Sequence, residues 1–282
     1  ADGREKRENG DRSYEKHTID PFALGVLLYT SGTTGVAKGV MLSQYNICSD
    51  IVAVAKQVLI TPEDRTLSVL PLHHTYECMA GFLSILYAGG SIAYMTGLAH
   101  LLADFREYQP TVFIAVPLLL KTIHTSLMKK MKAVRGGRTF LAVGKAIATV
   151  SGPFSDKVAG TLFHSVHAAF GGRLRAILCG AAALDADIYR DYEKLGFRIL
   201  CGYGLTETSP VCLMHNDFVR TPGTVGLPIS GLRAKIIEPN DEGIGELAVK
   251  GANVMLGYYH NPEATAEVID ADGYFHTGDL AK

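Results

Sequence analysis

A segment rich in glycine and hydroxyl side chains follows the first apolar stretch of the chain. This segment, YTSGTTGVAKG at residues 29–39, holds four Ser or Thr hydroxyls, three glycines and one lysine. Glycines let backbone N–H groups approach a phosphate, hydroxyls donate hydrogen bonds or ligate Mg²⁺, and Lys38 adds a positive charge. It is not a Walker A loop, because Gly39 follows the lysine where Ser or Thr is required. The pattern indicates a phosphate-binding loop, with a flexible polar surface loop as the alternative.

A second candidate, GYGLTET, occupies residues 202–208 after a predicted strand. Tyr203 lies between two glycines, where its ring could stack on a base, and Glu207 could hold a metal ion. Glu207 stands where a GxGxxG fingerprint needs glycine, so dinucleotide binding is weakly supported. The alternative is a turn at a strand end with a buried tyrosine.

Two further segments carry less information by themselves. LPLHHTYE at residues 70–77 follows a predicted strand, and the carboxyl ends of parallel strands often carry ligand sites. A structural histidine pair is the alternative there. YFHTGD at residues 274–279 is compatible with an ordinary turn, although Asp279 could also accept a ribose hydroxyl.

Hydrophobic periodicity predicts the elements that position these segments. A buried strand is expected at residues 23–29, and Ser43 is expected to cap an amphipathic helix at 44–58. Further strands are predicted at 66–70, 91–95, 111–115, 175–178 and 198–201, with helices at 80–87, 98–108, 117–134, 156–170 and 185–195. This alternation is typical of an α/β fold with a mainly parallel sheet flanked by helices. After residue 211 we expect no helices and a small β element with strands at 234–237 and 246–250.

Composition limits the classes of function. The chain has 282 residues, 48% hydrophobic and 20% charged, which excludes wholesale disorder. A net charge of −1 provides no basic surface for a nucleic-acid partner. Five cysteines without a CxxC pair indicate buried thiols in a reducing compartment. The polar N-terminus and the lack of an 18-residue apolar run predict a cytoplasmic protein without a signal peptide or transmembrane segment.

Together, six segments in fixed order carry a resemblance to a known family. They are YTSGTTGVAKG, LPLHHTYE, CGAAAL, GYGLTET, GELAVKGANVMLGYY and YFHTGDL. From residue 23 to residue 282 the chain resembles the adenylate-forming superfamily of acyl-CoA synthetases, luciferases and peptide-synthetase adenylation domains. Residues 70–95 and 108–124 are most similar to bacterial long-chain fatty-acid–CoA ligases.

The resemblance implies ATP, Mg²⁺ and CoA as cofactors or co-substrates, and it assigns roles to individual residues. Lys38, His74, Thr206 and Glu207 would be catalytic, and Glu207 with Thr30 would hold the metal ion. The implied nucleotide-binding residues are Thr30, Ser31, Gly32, Thr33, Thr34, Gly35, Lys38, Gly180, Ala181, Ala182, Gly202, Tyr203, Gly204, Leu205, Thr206 and Asp279.

Within that set, the resemblance gives each motif a part of the substrate. The loop at 30–35 with Lys38 would wrap the β- and γ-phosphates, and His74 would lie beside the acyl carboxylate and the α-phosphate. Residues 180–182 would follow the adenine, Tyr203 would stack on it, and Asp279 would accept the ribose hydroxyls. An acyl tunnel would run between the helix after His74 and the strand entering Gly202.

The chain departs from the family pattern at the loop and at both ends. Ala37 replaces the usual proline before Lys38, which removes a fixed φ from the phosphate loop. The family's hinge and mobile C-terminal domain would follow Asp279, and a long stretch would precede the loop, so we expect a truncated chain. Its expected parts are a linker at 1–22, an incomplete first sheet subdomain at 23–64, an acyl- and adenine-binding α/β subdomain at 65–211, and a β-rich subdomain at 212–282.

The expected activity is that of an AMP-forming ligase fragment, poorly active alone. A fatty acid or related carboxylic acid would react with Mg·ATP to give acyl-AMP and pyrophosphate, and CoA would then accept the acyl group. An aryl or medium-chain acid ligase and an adenylation domain that feeds a carrier protein are alternatives of the same class. A non-catalytic nucleotide- or acyl-binding module is the alternative of another class, and it predicts ATP binding without turnover. An NAD-dependent dehydrogenase is disfavoured because GxGxxG is missing.

Overall fold

The structure is a computed structural model that describes residues 2–30, 37–133 and 163–282. Its strands are β1 Leu24–Thr30, β2 Lys38–Ser43, β3 Arg65–Ser68, β4 Ser91–Tyr94, β5 Val112–Ala115, β6 Ala176–Cys179, β7 Ile199–Tyr203, β8 Leu213–Met214, β9 Leu227–Pro228, β10 Arg233–Ile237, β11 Gly245–Lys250, β12 Gly257–Tyr258 and β13 Phe275–Ala281. Its α-helices are α1 Asp2–Glu8, α2 Gln44–Val58, α3 Ser84–Tyr87, α4 Leu101–Tyr108, α5 Pro117–Ala133, α6 His164–Ala169, α7 Ala186–Lys194 and α8 Pro262–Val268. A π-helix spans Tyr76–Leu83, and 3₁₀ turns span Ser13–Lys16, Leu98–His100 and Thr206–Thr208.

The largest sheet in the described part of the chain has seven strands in the order β4-β3-β5-β6-β7-β8-β9. Its first five strands are parallel, and β8 and β9 extend it antiparallel. The predicted α/β fold with a mainly parallel sheet is therefore confirmed. The segments that follow β3, β6 and β7 begin at the same edge of this sheet, where α/β proteins bind ligands. The expected boundary after residue 211 falls inside the sheet, because β8 and β9 come later in the chain.

Two smaller antiparallel sheets complete the architecture of the described residues. One has the order β1-β2-β12, and its β1–β2 hairpin places Thr30 directly opposite Lys38. Residues 31–36, which connect these two positions, lie outside the described residues, so Ser31, Gly32, Thr33, Thr34 and Gly35 are not placed. The other small sheet has the order β10-β11-β13.

The parallel strands separate two hydrophobic cores. Val112 and Ile114 of β5 face a core shared with α2, the π-helix and the small sheets. Phe113 and Ala115, the alternate residues, face a second core with α4, α5 and α7. A sheet covered on both faces explains why its strands are continuous apolar runs, all four residues of β5 being buried.

Several predicted elements are present nearly as expected. Helix α2 begins after Ser43, whose hydroxyl accepts the Asn46 N–H at 3.1 Å while Asn46 Oδ1 accepts the Ser43 N–H at 2.8 Å. The predicted helix at 117–134 is α5, with residue 134 outside the described residues. Of the helix predicted at 156–170, residues 164–169 are α6 and residues 156–162 lie outside the described residues.

Three predictions about elements are wrong or incomplete. The helix expected at 80–87 begins four residues earlier as a π-helix, in which the Glu77 carboxyl packs over Gly81; a Cβ there would lie 2.9 Å from Glu77 Cδ. Helices do not stop at residue 211, because Asn261 caps α8 by accepting the Ala264 N–H at 3.0 Å. The strand expected to be buried at 23–29 is β1, whose residues are exposed or half-buried.

The remaining expectations from composition concern the chain's start and its cysteines. The segment expected to be a linker contains α1 and is exposed over residues 4–13. Cys179, Cys201 and Cys212 are buried, whereas Cys48 is exposed, so burial of all five thiols was a wrong expectation. Among the described residues, no helix is both long and apolar enough to cross a membrane.

Candidate active site

An inner cavity of about 220 Å³ lies between the π-helix and the carboxyl ends of β6 and β7. His74 and Thr206 contribute polar groups to its wall. Apolar side chains supply most of the rest, from α2, the π-helix, the parallel strands and the β7–β8 connection: Val54, Ala80, Leu178, Leu200, Val211 and Met214. The cavity therefore combines an apolar interior with a few polar groups, as expected of a small-molecule pocket.

An outer cavity of about 640 Å³, lined by more charged side chains, adjoins the inner one. It is lined by Thr30, Lys38, Leu205, Thr206, Glu207, Glu246, Tyr258, Glu267, Val268, Phe275, His276, Thr277 and Gly278. Leu205 and Thr206 line both cavities, so the two spaces meet at this segment. The structure thus brings together Thr30, Lys38, Thr206 and Glu207, which are dispersed in the sequence.

Lys38 is held at the mouth of the β1–β2 hairpin. Its Nζ atom lies 5.0 Å from the centre of the Tyr258 ring, within range of a cation–π contact. Tyr258 belongs to β12, which pairs with β2 in the same small sheet. The ammonium group is therefore oriented by a neighbouring strand, on the wall of the outer cavity.

Glu207 accepts a hydrogen bond of 2.9 Å at Oε1 from the Tyr258 hydroxyl. Burial and the neighbouring Glu207 charge raise the pKa of Tyr258, so the phenol keeps its proton and remains a donor. No described residue donates a hydrogen bond to Oε2 of Glu207. That oxygen is free to bind a cation or a ligand.

The donor set around Glu207 fits Mg²⁺. This hard cation prefers oxygen ligands, keeps several waters, and binds through one or two protein oxygens plus phosphates. The Glu207 carboxylate and the Thr30 hydroxyl line the same cavity. The described residues contain no group of three or more His, Cys, Asp or Glu side chains that could hold a metal ion alone. Nucleotide phosphates and water would have to complete the coordination.

Asn253 fixes the segment that follows Glu207. Its buried side-chain amide donates to the carbonyl oxygens of Thr208 and Val211, both at 2.9 Å, and the backbone carbonyl of Asn253 accepts the Ser209 hydroxyl at 2.8 Å. The Met255 N–H also donates to the Glu207 carbonyl at 2.8 Å. These contacts hold the backbone of the Glu207 segment in one conformation.

Helix α2 contacts the segments on both sides of Asn253 and the residues that follow Glu207. Asn46 donates to the carbonyl oxygens of Ala252 and Val254 at 2.7 and 2.8 Å. Asp50 accepts the Val211 N–H at 3.1 Å, and burial raises the pKa of its carboxyl. The candidate catalytic segment is therefore anchored to a helix that begins immediately after β2.

Close packing explains two glycines of the site. A Cβ at Gly204 would lie 1.6 Å from the Pro210 carbonyl oxygen, so only glycine fits. A Cβ at Gly180 would lie 3.0 Å from Cζ of Tyr76, whose ring lies against this glycine. These glycines permit close backbone approach.

His74 lines the inner cavity with one ring nitrogen already bonded. Its Nδ1 atom accepts the Tyr76 N–H at 3.2 Å, so a neutral imidazole carries its proton on Nε2. Gly180 and Ala181 line the same cavity, whereas Ala182 is exposed and lines neither cavity.

Tyr203 and Asp279 are brought together, although they lie in different sheets. The Tyr203 hydroxyl donates to Oδ2 of Asp279 at 2.6 Å. Burial, and then the hydrogen bond to Asp279, raise the pKa of Tyr203. Asp279 is exposed beside the outer cavity, next to Gly278, which lines it.

Sequence patterns did not single out the residues that orient this site. Tyr258 and Asn253 lie within the segment GELAVKGANVMLGYY, and Glu246 and His276 lie in or next to recognised segments, yet none was assigned a role. An asparagine inside an otherwise apolar segment was the available signal for Asn253, since a buried amide must find partners.

The fold and the two cavities define an α/β protein with a charged outer cavity beside an apolar pocket. The family model described as "AMP-binding enzyme" matches residues 1–259. The chain therefore belongs to the AMP-binding enzyme family.

Its relatives include ligases of long-chain fatty acids. Human long-chain-fatty-acid–CoA ligase 1 is 34% identical over 93% of this chain and 40% of its own length. The chloroplastic long-chain-fatty-acid–[acyl-carrier-protein] ligase AEE15 of Arabidopsis thaliana is 29% identical over 96% of this chain and 43% of its own length. The chain thus spans about two-fifths of the length of these curated relatives.

Solved structures of similar fold contain bound adenine nucleotides. ATP-bound MatB from Rhodopseudomonas palustris superimposes with a TM-score of 0.72 at 29% identity, covering 93% of this chain and 46% of that one. A malonyl-CoA ligase with methylmalonyl-CoA and AMP bound gives a TM-score of 0.68 at 26% identity, covering 93% of this chain and 51% of that one. The expected family is confirmed.

Proposed function

We propose that this protein is an AMP-forming acid–thiol ligase that activates a fatty acid with Mg·ATP and transfers the acyl group to CoA. The observation that carries the proposal is the junction of the two cavities at Leu205 and Thr206. An acid bound in the apolar inner cavity and a triphosphate in the polar outer cavity would meet at this junction. Family membership and the long-chain ligases among the relatives support the same function.

The outer cavity would bind the triphosphate. Lys38 and the loop that follows Thr30 would contact the β- and γ-phosphates, since the hairpin register brings both ends of that loop together. Glu207 and Thr30 would hold Mg²⁺, which neutralises phosphate charge when bound. Tyr203 would stack on the adenine, residues 180–182 would follow its edge by backbone contact, and Asp279 would accept the ribose hydroxyls.

In the first half-reaction, a carboxylate oxygen of the acid attacks the α-phosphorus. The bond from that phosphorus to the bridging oxygen breaks, and pyrophosphate leaves. Thr206, at the junction, and His74, whose Nε2 carries a proton in the neutral ring, would donate hydrogen bonds to the α-phosphate and the carboxylate. Positioned donors of this kind contribute on the order of a hundred- to a thousandfold in rate each.

In the second half-reaction, the CoA sulfur attacks the acyl carbon of the adenylate. The carbon–oxygen bond to the phosphate breaks, AMP leaves, and the thiol proton passes to solvent. Binding both reactants side by side removes the entropy cost of bringing together and orienting two free molecules.

The lining of the inner cavity favours a fatty acid over a dicarboxylic acid. Aliphatic and Met side chains make up much of its lining, and the described residues that line it include no lysine or arginine. A second carboxylate would lie there without a partner, which is costly. A hydrocarbon chain would gain about 25 cal/mol for each Å² of apolar surface removed from water.

The test is pyrophosphate exchange into ATP by the intact gene product, with hexadecanoate, hexanoate, benzoate and malonate compared. We expect exchange that depends on the fatty acid and is abolished in Glu207→Ala. Exchange with benzoate or malonate alone would overturn the fatty-acid assignment. ATP binding without exchange for any acid would contradict the ligase and support a binding module. Acyl transfer to acyl carrier protein but not to CoA would contradict the proposed acceptor.

A further inference from the structure

The turn that presents Asp279 is an irregularity in the pairing of β11 with β13. Ala248 pairs with His276 and Glu246 pairs with Leu280, so three residues of β13 lie opposite one residue of β11. Gly278, at the middle of this bulge, has a left-handed φ of 74°. Bulges re-aim side chains next to active sites and leave backbone groups without partners in the ladder.

The Glu246 side chain supplies hydrogen-bond acceptors that the strand ladder does not provide at this bulge. Its Oε1 atom accepts the Gly278 N–H at 2.9 Å, and its Oε2 atom accepts a hydrogen bond from His276 Nδ1 at 2.9 Å. One carboxylate therefore bonds the residues on both sides of Thr277, His276 and Gly278. The Thr277 hydroxyl donates to the Leu247 carbonyl at 2.8 Å and accepts the Asp279 N–H at 3.1 Å, which closes the turn.

The bulge directs Asp279 out of its own sheet and toward β7. There the carboxylate meets the Tyr203 hydroxyl at 2.6 Å. Without the bulge, the side chain at this position would continue the alternation of β13. The direction of Asp279 thus depends on a conformation that Glu246 and His276 stabilise.

We propose that Glu246 and His276 are positioning residues for nucleotide binding: they hold the bulge at residues 277–279 that aims Asp279 at the ribose hydroxyls. This inference rests on the proposed function, which places ATP in the outer cavity. Neither residue needs to touch the nucleotide for this effect, although both line that cavity.

Charged groups around His276 come from three elements. Glu246 lies on β11, Asp270 follows α8 with its Oδ2 atom 3.5 Å from His276 Nε2, and Lys235 of β10 lies 3.6 Å from the same Asp270 oxygen. Glu267 of α8 also lines the cavity. An imidazolium at position 276 can donate to Glu246 and Asp270 at once, and it ties the bulge to the segment after α8.

The experiment is a calorimetric titration of Mg·ATP and of Mg·2′,3′-dideoxy-ATP into wild type, Glu246→Ala and Asp279→Ala. The dideoxy nucleotide lacks the hydroxyls that Asp279 would accept. Loss of a positioned carboxylate should weaken ATP binding about tenfold, with a change below about twofold for the dideoxy analogue. A double variant Glu246→Ala/Asp279→Ala should bind ATP no more weakly than Asp279→Ala alone, since both changes remove one interaction. Glu242→Ala is the matched control: Glu242 is exposed in the turn between β10 and β11, close to Glu246 in sequence, and this variant should bind both nucleotides like wild type.

The conservative variant keeps the test decisive if Glu246→Ala does not fold. Glu246→Gln retains one acceptor oxygen for two donors, so it should lose about threefold in ATP affinity and keep its affinity for the dideoxy analogue. Equal losses for both nucleotides would show a general structural role and overturn the inference. If Asp279→Ala weakens ATP binding but neither Glu246 variant does, this inference fails while the proposed function stands. If wild type binds no ATP, the proposed function fails with it.

Discussion

Tyr258 donates its phenolic hydrogen to Glu207 at 2.9 Å, while the same ring lies beneath the ammonium of Lys38. One side chain therefore orients both the candidate metal-binding carboxylate and the candidate phosphate-binding lysine. These three residues come from the β2 strand, the turn after β7 and the β12 strand, and no pair of them is closer than 51 positions in sequence.

Removal of the Tyr258 hydroxyl should weaken the Mg²⁺-dependent part of ATP binding. In Tyr258→Phe the ring stays under Lys38, but Glu207 loses its only protein donor at Oε1 among the described residues. We expect a three- to tenfold loss of Mg·ATP affinity, corresponding to about 1 kcal/mol for a hydrogen bond to a charged acceptor. Calorimetry with and without Mg²⁺ measures it. Tyr259→Phe is the control, because the neighbouring ring is partly exposed and contacts His260 instead; equal losses in both variants would contradict the assignment.

Asn253 should contribute to stability and to nucleotide binding together. Asn253→Ala leaves the Thr208 and Val211 carbonyls without their buried donor, so we expect unfolding to require about 2–3 kcal/mol less. Because the freed segment carries Glu207, ATP affinity should fall as well. Asn253→Asp should be at least as destabilising, since it places an oxygen against two carbonyls. Urea unfolding and ATP titration check both effects. If Asn253→Ala is destabilised but binds ATP like wild type, the buried amide stabilises the fold without contributing to nucleotide binding.

Local patterns predicted the elements whose signals are local. The capping pair of Ser43 and Asn46 starts α2 where the sequence indicates, and the alternation of strand and helix signals placed the five parallel strands close to their observed positions. Helix α8 also had a local signal, an asparagine cap followed by Pro262, which the surrounding turn residues obscured. The candidate phosphate loop was recognisable because four Ser or Thr hydroxyls and three glycines fall within eleven residues, whereas the candidate ribose segment at 274–279 was recognised through its resemblance to a family motif.

Contacts between distant segments were not predictable in the same way. The bulge that directs Asp279 depends on the register of β11 against β13, and register is a property of two strands. Asn253 and Tyr258 act on the Glu207 segment only after β12 pairs with β2. In the π-helix that begins at Tyr76, Glu77 packs over Gly81, a contact that helical periodicity does not reveal.

Asp64 and Arg175 clamp β3, β6 and the end of α2, and this pair should govern stability in acid. Burial opposes ionisation of Asp64, but hydrogen bonds from Arg175 and Thr111 outweigh it and lower the pKa of the carboxyl to about 2. A lowered folded-state pKa stabilises the protein above the ordinary value of 3.8, and this contribution is lost as the pH falls toward about 2.

Asp64→Asn should therefore lower the free energy of unfolding at pH 7 by about 3 kcal/mol, because Arg175 would lose its charged partner. Its deficit relative to wild type should shrink as the pH approaches 2. Asp187→Asn removes the exposed Asp187–Arg190 pair and should cost less than about 1 kcal/mol. Urea unfolding across this pH range provides the comparison, and a deficit that does not vary with pH would show that shape, not charge, sets the role of Asp64.

Glu77 should make the protein less stable as the pH rises toward neutrality. Its carboxyl is buried against Gly81 of the same π-helix, where Oε1 accepts the Ser68 hydroxyl at 2.5 Å and Oε2 has no hydrogen-bond partner among the described residues. Burial raises its pKa from 4.5 to about 7. Between those values the folded state binds more protons than the unfolded state, so the free energy of unfolding falls with rising pH, by about 3 kcal/mol in all.

In Glu77→Gln this contribution should vanish, so the difference between wild type and variant should change by that amount between pH 4.5 and 8. Glu263→Gln, an exposed substitution on α8, should run parallel to wild type. Parallel profiles for wild type and Glu77→Gln would mean that Glu77 has the same pKa in the folded and unfolded states, against the burial that defines its position.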